Sequence, residues 1–212
     1  MAVELGATLY IPVQRPNLLA VAHGSMPGLR SIVMCLEDTL PVHQIVPAKA
    51  RFVAVLQELT QNPPALLVYA RPRDPAMLEW MLRQDHIGAI AGFVLPKITT
   101  ANLGHWLAAT GPGEYGLMPT IESAEAFDHG AMSAIAQQLD ALGSRIHAVR
   151  IGGNDILNTL GVRRSALRTA YDGPLGLAIA TMAAVFLPRD IGLSAPVFEH
   201  YDSLELLREE VM

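Results

Sequence analysis

Cysteine is almost absent: Cys35 stands alone among 212 residues. One thiol excludes an intramolecular disulfide and a cysteine-based zinc site, and it suits a reducing compartment, so a cytoplasmic location is expected. Basic charge is not in excess either. Fifteen Lys and Arg face twenty Asp and Glu, a formal net charge of −5, and no basic cluster is set against it. That balance argues against a surface that tracks nucleic-acid phosphates, and no nucleic-acid partner is expected. Long apolar runs are missing as well. The most apolar stretch, LGLAIATMAAVFL over 175–187, falls well short of the roughly 20 residues a membrane-spanning helix needs and reads as a buried helix. The first eight residues lack a basic segment followed by an apolar one, so neither a secretory signal nor a membrane partner is expected. No Pro/Ser/Gly-rich linker or low-complexity tract interrupts the chain, which predicts one domain over 1–212.

What the chain does have is a repeated unit: a short β-rich run, a polar end, then a helical pattern. The runs are ATLYIPV (7–13), SIVMCL (31–36), ALLVYA (65–70), GFVLP (92–96), GLMPTI (116–121), HAVRI (147–151) and GLSAPVF (192–198). They are nearly continuous in apolar residues, without in/out alternation, as parallel strands covered on both faces are. Helical patterns fill the intervals, among them 48–60, 75–84 and 133–142, and SLELLREEV closes the chain. Strand, helix, strand at this spacing predicts parallel βαβ units.

Charged residues finish successive runs: Glu37 and Asp38 after the second, Arg71 after the third, Lys97 after the fourth, Glu122 after the fifth and Asp155 after the sixth. An open doubly wound sheet gathers its chemistry at one switch point, whereas a (β/α)8 barrel collects it from many strand ends. The barrel is therefore expected, in a form that lacks the eighth strand, because such barrels run to roughly 250 residues and only a helix follows the seventh run. Strand ends also meet solvent, where charges belong in any case, and Asn154–Asp155 has the composition of a helix N-cap before ILNTL.

LYIPV, LEDTLP, YARPRD, GFVLPK, MPTIESAEAF and RIGGNDIL, taken in that order and spacing, resemble the citrate lyase β-subunit-like proteins of the HpcH/HpaI aldolase family, the pyruvate-enolate barrels. The segment RTAYDGPLGLAIATMAAVFLPRDIGLSAPVFEHYD resembles a bacterial branch of citrate-lyase-like carbon–carbon lyases, so the resemblance covers essentially the whole chain. It implies an Mg²⁺-binding TIM barrel of the phosphoenolpyruvate/pyruvate type, a trimer or hexamer of like chains. The implied reaction cleaves or forms a carbon–carbon bond in a citryl-CoA- or malyl-CoA-like thioester or a related hydroxy acid. A homologue that has kept the barrel without turnover, and a 2-oxo acid aldolase that needs no CoA, are the alternatives.

Residue by residue, the resemblance places Glu122 and Asp155 on the family's metal-binding carboxylates. That suits a hard cation, since Mg²⁺ takes oxygen ligands and commonly only one or two protein carboxylates. Gly152 and Gly153, just before Asp155, are expected to leave room for substrate, because neither carries a Cβ. Arg71 matches the family's third-strand arginine. Its rigid fork of donors suits a carboxylate or the oxygen of a forming enolate, and a salt bridge to Glu37 is its alternative role. Glu37 and Asp38 match the acidic pair that orients the arginine or serves as general base. The family more often has Asp at Cys35 and a small polar residue at Arg73. Lys97 resembles a Schiff-base lysine of another aldolase class, but LPK recurs in this metal-dependent family without covalent chemistry, so a structural or substrate-phosphate contact is expected. The seven histidines show no metal-ligand spacing; His23 alone is a candidate for the barrel mouth. The nine methionines read as core filling.

Overall fold

The computed structural model describes residues 3–37 and 40–211. Asp38, one of the candidate catalytic acids, lies outside them. Backbone contacts divide the chain into an N-terminal unit, residues 3–96 with 104–117, and a C-terminal unit, residues 97–103 with 118–211.

The N-terminal unit carries four parallel strands in chain order: β1 (Ala7–Pro12), β2 (Leu29–Cys35), β3 (Leu67–Arg71) and β4 (Gly92–Leu95). Residues 31–35 of β2 and all of β4 are buried, the signature of strands covered on both faces that the apolar runs predicted. Helices α1 (Leu18–Ala22), α2 (Ile45–Gln61) and α3 (Pro75–Leu82) connect the strands. Ala48, Phe52, Val55, Leu56 and Leu59 form the buried stripe of α2, spaced three and four apart as one helix face requires. Pro47 sits in the first turn of that helix, where a missing N–H costs nothing. Asp74 caps α3 by accepting from the Met77 amide at 2.8 Å, with Pro75 in the first turn. At the start of β4, a Cβ on Gly92 would lie 1.9 Å from the carbonyl oxygen of Gly116, so only glycine permits that approach.

In the C-terminal unit, β5 (Gly116–Ile121, whose first two residues group with the N-terminal unit), β6 (Val149–Ile151) and β7 (Leu193–Ser194) are again parallel and in chain order. Here α4 (Leu103–Thr110) begins, and α5 (His129–Asp140), α6 (Gly153–Thr159), α7 (Pro174–Phe186) and α8 (Leu204–Val211) follow. Asp128 caps α5 by accepting from the amides of Gly130 and Ala131. The stretch 175–187 does form an apolar helix, α7, but it buries one face, through Leu175, Ala178, Met182, Val185 and Phe186, and leaves Leu177 exposed, so the helix is not buried all round as expected. β7 keeps two residues of the seven predicted. Pro196 has no amide to give to a ladder, and the chain leaves the sheet before it. No eighth strand follows β7 among the described residues, and none of the helices there is long and apolar enough to cross a membrane.

Candidate functional site

Two groups of the predicted site residues are assembled, one in each unit. In the N-terminal unit, Arg71 is the last residue of β3 and lies in register with Cys35 of β2. Leu36 donates its amide to the Arg71 carbonyl at 3.0 Å, which brings Glu37 beside the arginine. The Arg71 guanidinium meets the Glu37 carboxylate at 2.9 Å, both side chains being about nine-tenths buried or more. Burial of that order leaves a charge dependent on its partner, so the pair holds the guanidinium in one orientation. Tyr10 of β1 lies under the same guanidinium, 5.8 Å from its centre.

Arg73 adds a second guanidinium to this corner. Its Nη2 donates to the carbonyl oxygens of Glu37 and Leu40, pinning both described sides of the loop that follows β2. Neither Tyr10 nor Arg73 was among the site candidates of the sequence. Tyr10 sits mid-strand with no distinguishing motif, and only the departure at RPR pointed to Arg73.

The C-terminal unit gathers Lys97, Glu122 and Asp155 around one pocket of about 530 Å³, together with Thr99, Ser123, Asn158 and Thr159. Glu122 follows β5 directly and is 7% exposed. Its Oε1 accepts from the backbone amide of Lys97 at 2.6 Å, and Lys97 adopts a left-handed φ of 54° to present that amide. A lysine pays strain for such a conformation. Lys97 thus reaches Glu122 through its main-chain amide, and the residue as a whole is exposed. The loop it begins is locked onto β5 by the Ile98 amide on the Thr120 carbonyl at 3.0 Å, and Thr100 donates its amide and hydroxyl to Glu125 at 2.8 and 2.9 Å.

Asp155 stands in the first turn of α6, two residues past its start. The helix is capped at Gly152, without a side-chain bond, so the Asn-Asp pair is not the N-cap. Asn154 instead donates to the Glu199 carboxylate, and Asp155 is left facing the pocket. The two glycines have separate functions. A Cβ on Gly152 would lie 2.3 Å from Cβ of Glu122 and 2.8 Å from its Oε2, so the space Gly152 leaves is the space Glu122 fills. At Gly153 the corresponding room is taken by Pro196 and Leu175, and that glycine serves packing. His23, at the C-terminal end of α1, sets its ring nitrogens against the carbonyls of Leu19 (2.7 Å) and Asn62 (3.0 Å), which ties it to the loop ends rather than to either group of site residues.

Among the described residues no set of three or more His, Cys, Asp or Glu is placed to hold a metal ion. Two carboxylates in one pocket, one of them seated in a cradle that a Cβ would fill, match a cation that takes few protein ligands and completes its shell with water and substrate, as Mg²⁺ does.

Solved structures with the same fold support this architecture. RipC from Yersinia pestis aligns over 94% of this chain and 79% of its own, with 18% identity and a TM-score of 0.65. An HpcH/HpaI aldolase from Desulfitobacterium hafniense aligns over 97% and 83%, with 14% identity and a TM-score of 0.64. Haloferax volcanii malate synthase, in its magnesium/glyoxylate complex, aligns over 96% and 66%, with 15% identity and a TM-score of 0.73. No curated protein matches the sequence. The match to a family model is complete in length, over residues 1–212, and by it the chain belongs to the C–C bond lyases of the TIM-barrel fold.

Proposed function

We propose that the protein is an Mg²⁺-dependent carbon–carbon lyase that cleaves, or in reverse condenses, a citryl-CoA- or malyl-CoA-like thioester or a related hydroxy acid. The observation that carries this reading is the pocket in which Glu122 and Asp155 sit together, with Gly152 making room for the first. The magnesium and glyoxylate of the Haloferax complex add a precedent for this cation with a 2-oxo acid on the same fold.

Glu122 and Asp155 would hold the metal, which when bound supplies Lewis-acid polarisation of a substrate carbonyl. The Lys97 amide, by donating to Oε1 of Glu122, keeps that carboxylate in one rotamer and so fixes where its other oxygen points. Arg71 would stabilise the negative charge that develops on the departing enolate as the carbon–carbon bond breaks. Glu37, committed to Arg71 at 2.9 Å, serves as the group that orients it. Asp38 is then the carboxylate to test as acceptor of the substrate hydroxyl proton.

The experiment is calorimetric titration with Mg²⁺, followed by thermal denaturation with Mg²⁺ and oxaloacetate, glyoxylate, pyruvate or acetyl-CoA. Ligands that bind the folded chain raise its apparent stability. Glu122→Ala is expected to lose Mg²⁺ binding together with the stabilisation by 2-oxo acids. Equal Mg²⁺ affinity in the variant and the wild type would remove the metal assignment. If Mg²⁺ binds but no substrate of the panel is turned over, a barrel retained without turnover takes the lyase's place.

A further inference from the structure

Arg163, Arg164 and Arg168 fall within six residues of the segment joining α6 to α7, a local group that the chain-wide charge of −5 conceals. All three line a second pocket of the C-terminal unit, about 390 Å³, with Ser165, Thr169 and Asp172. Arg164 is paired with Glu210, which leaves the guanidinium groups of Arg163 and Arg168 against the one carboxylate that lines the pocket. That carboxylate is already engaged, since Asp172 accepts from the amide and hydroxyl of Thr169 at 2.9 and 2.6 Å. Those bonds, with a smaller contribution from Arg168, hold its pKa below the ordinary carboxylate range.

Arg164 anchors the group. Its side chain is 4% exposed, and its Nη atoms donate to the Val197 carbonyl at 2.6 Å and to the buried Glu210 carboxylate. Its Nε is buried without an acceptor among the described residues. Arg163 and Arg168 are exposed, and neither has a salt bridge among the described residues.

The pocket is not isolated. A third pocket, about 440 Å³, shares Leu157, Arg163 and Arg164 with it, and shares Asn158 with the pocket of Glu122 and Asp155. His200 borders this middle pocket with an Nε2 that is likewise buried and without a partner among the described residues. Residues of α6 and of the segment after it are thus common to neighbouring pockets, with the Glu122 and Asp155 carboxylates lining one and Arg163, Arg164 and Arg168 lining another.

We propose that the arginine end is a subsite for a phosphoryl group, carried by the substrate at a distance from its reacting carbons. This deepens the lyase reading and rests on it for the identity of the reacting end. A phosphoryl dianion offers three acceptor oxygens and two charges. The guanidinium forks of Arg163 and Arg168, the Nε of Arg164 and the hydroxyl of Ser165 match that inventory better than they match a single carboxylate. Polyvalent anions are also the ligands for which a chain of negative net charge most needs a local positive field.

Inorganic phosphate, titrated calorimetrically in the absence of metal, is the direct probe. It is applied to the wild type, to Arg163→Ala/Arg168→Ala and to Glu122→Ala, each checked for an unchanged melting temperature. Both arginines are exposed and outside the Arg164–Glu210 pair, so the double variant is expected to fold. Millimolar phosphate is expected to bind the wild type and Glu122→Ala alike, and to bind the double variant at least about tenfold more weakly. Absence of binding to the wild type, or equal binding to the double variant, overturns the subsite. Loss of phosphate binding in Glu122→Ala with the arginine variant unaffected also overturns it, by assigning the anion to the carboxylate pocket. Failure of the lyase reading registers elsewhere, as Mg²⁺ affinity unaffected by Glu122→Ala.

Discussion

Arg71 and Gly152 show how much of the proposed chemistry rests on single atoms. The guanidinium of Arg71 reaches Glu37 at 2.9 Å while its central carbon stands 5.8 Å from the centre of the Tyr10 ring, two contacts that a broad, flat cation makes from one position. Lysine keeps the charge and loses both features. Arg71→Lys is therefore expected to lower turnover a hundredfold or more, on the order of 3 kcal/mol in the transition state, with Mg²⁺ affinity nearly unchanged. Should the variant melt much lower yet keep its activity per folded molecule, Arg71 is a structural partner of Glu37 and nothing more. Gly152 makes a different demand. Its φ of −82° is open to any residue, so an added methyl acts only through the contact at 2.3 Å with Glu122. Gly152→Ala is expected to push the glutamate aside, lowering Mg²⁺ affinity at least about tenfold and stability by roughly 1–3 kcal/mol, as overpacking does. Calorimetry and chemical denaturation of the one variant read both effects. Unchanged metal affinity would mean that Glu122 is not a ligand.

At the scale of elements, the central strands hold a titratable group that the chemistry does not use. Tyr69 of β3 is fully buried, and desolvation pushes its pKa up to about 12 from the ordinary 10. Below pH 10 both folded and unfolded chains keep the phenol proton. Between 10 and 12 the unfolded chain releases it and the folded chain does not, so stability falls as pH rises through that window, by up to on the order of 3 kcal/mol. Urea midpoints measured across that window should fall in the wild type, and the part due to Tyr69 should be missing from Tyr69→Phe. Parallel slopes for the two proteins would place the alkaline sensitivity elsewhere. Elements of this kind were legible in the sequence, because period and burial go together. The stripe of α2 and the continuous apolar runs of β2 and β4 marked helix and strand within a few residues of their ends. β7 was not legible in the same way. GLSAPVF has strand composition, but the proline withholds a donor, and pairing ends at Ser194.

For the molecule as a whole, the order of the elements and the charges at strand ends pointed to a barrel, and the resemblance of its motifs pointed to a carbon–carbon lyase family of that fold, to which the chain belongs. The sequence could not reveal how glycine and lysine backbone atoms shape the carboxylate pocket, nor that Arg163, Arg164 and Arg168 line a shared cavity, since neither leaves a periodic trace. Assembly belongs to this scale too. β1 pairs with β2 on one side, and β7 with β6 on one side, and neither has a second neighbour among the described residues. β7 is blunted by its two-residue length. β1 is six residues long, with Leu9 and Tyr10 only half buried, and its free edge presents amide and carbonyl groups of the kind that recruit another strand or must be covered. Association with further copies of the chain, as a trimer or hexamer, is therefore expected to protect it. Sedimentation velocity should find a species heavier than one chain, and the β1 amides should exchange slowly in that species and faster on dilution. A monomer at every concentration, with β1 amides exchanging as fast as those of a loop, would show that this edge stays open and that no assembly covers it.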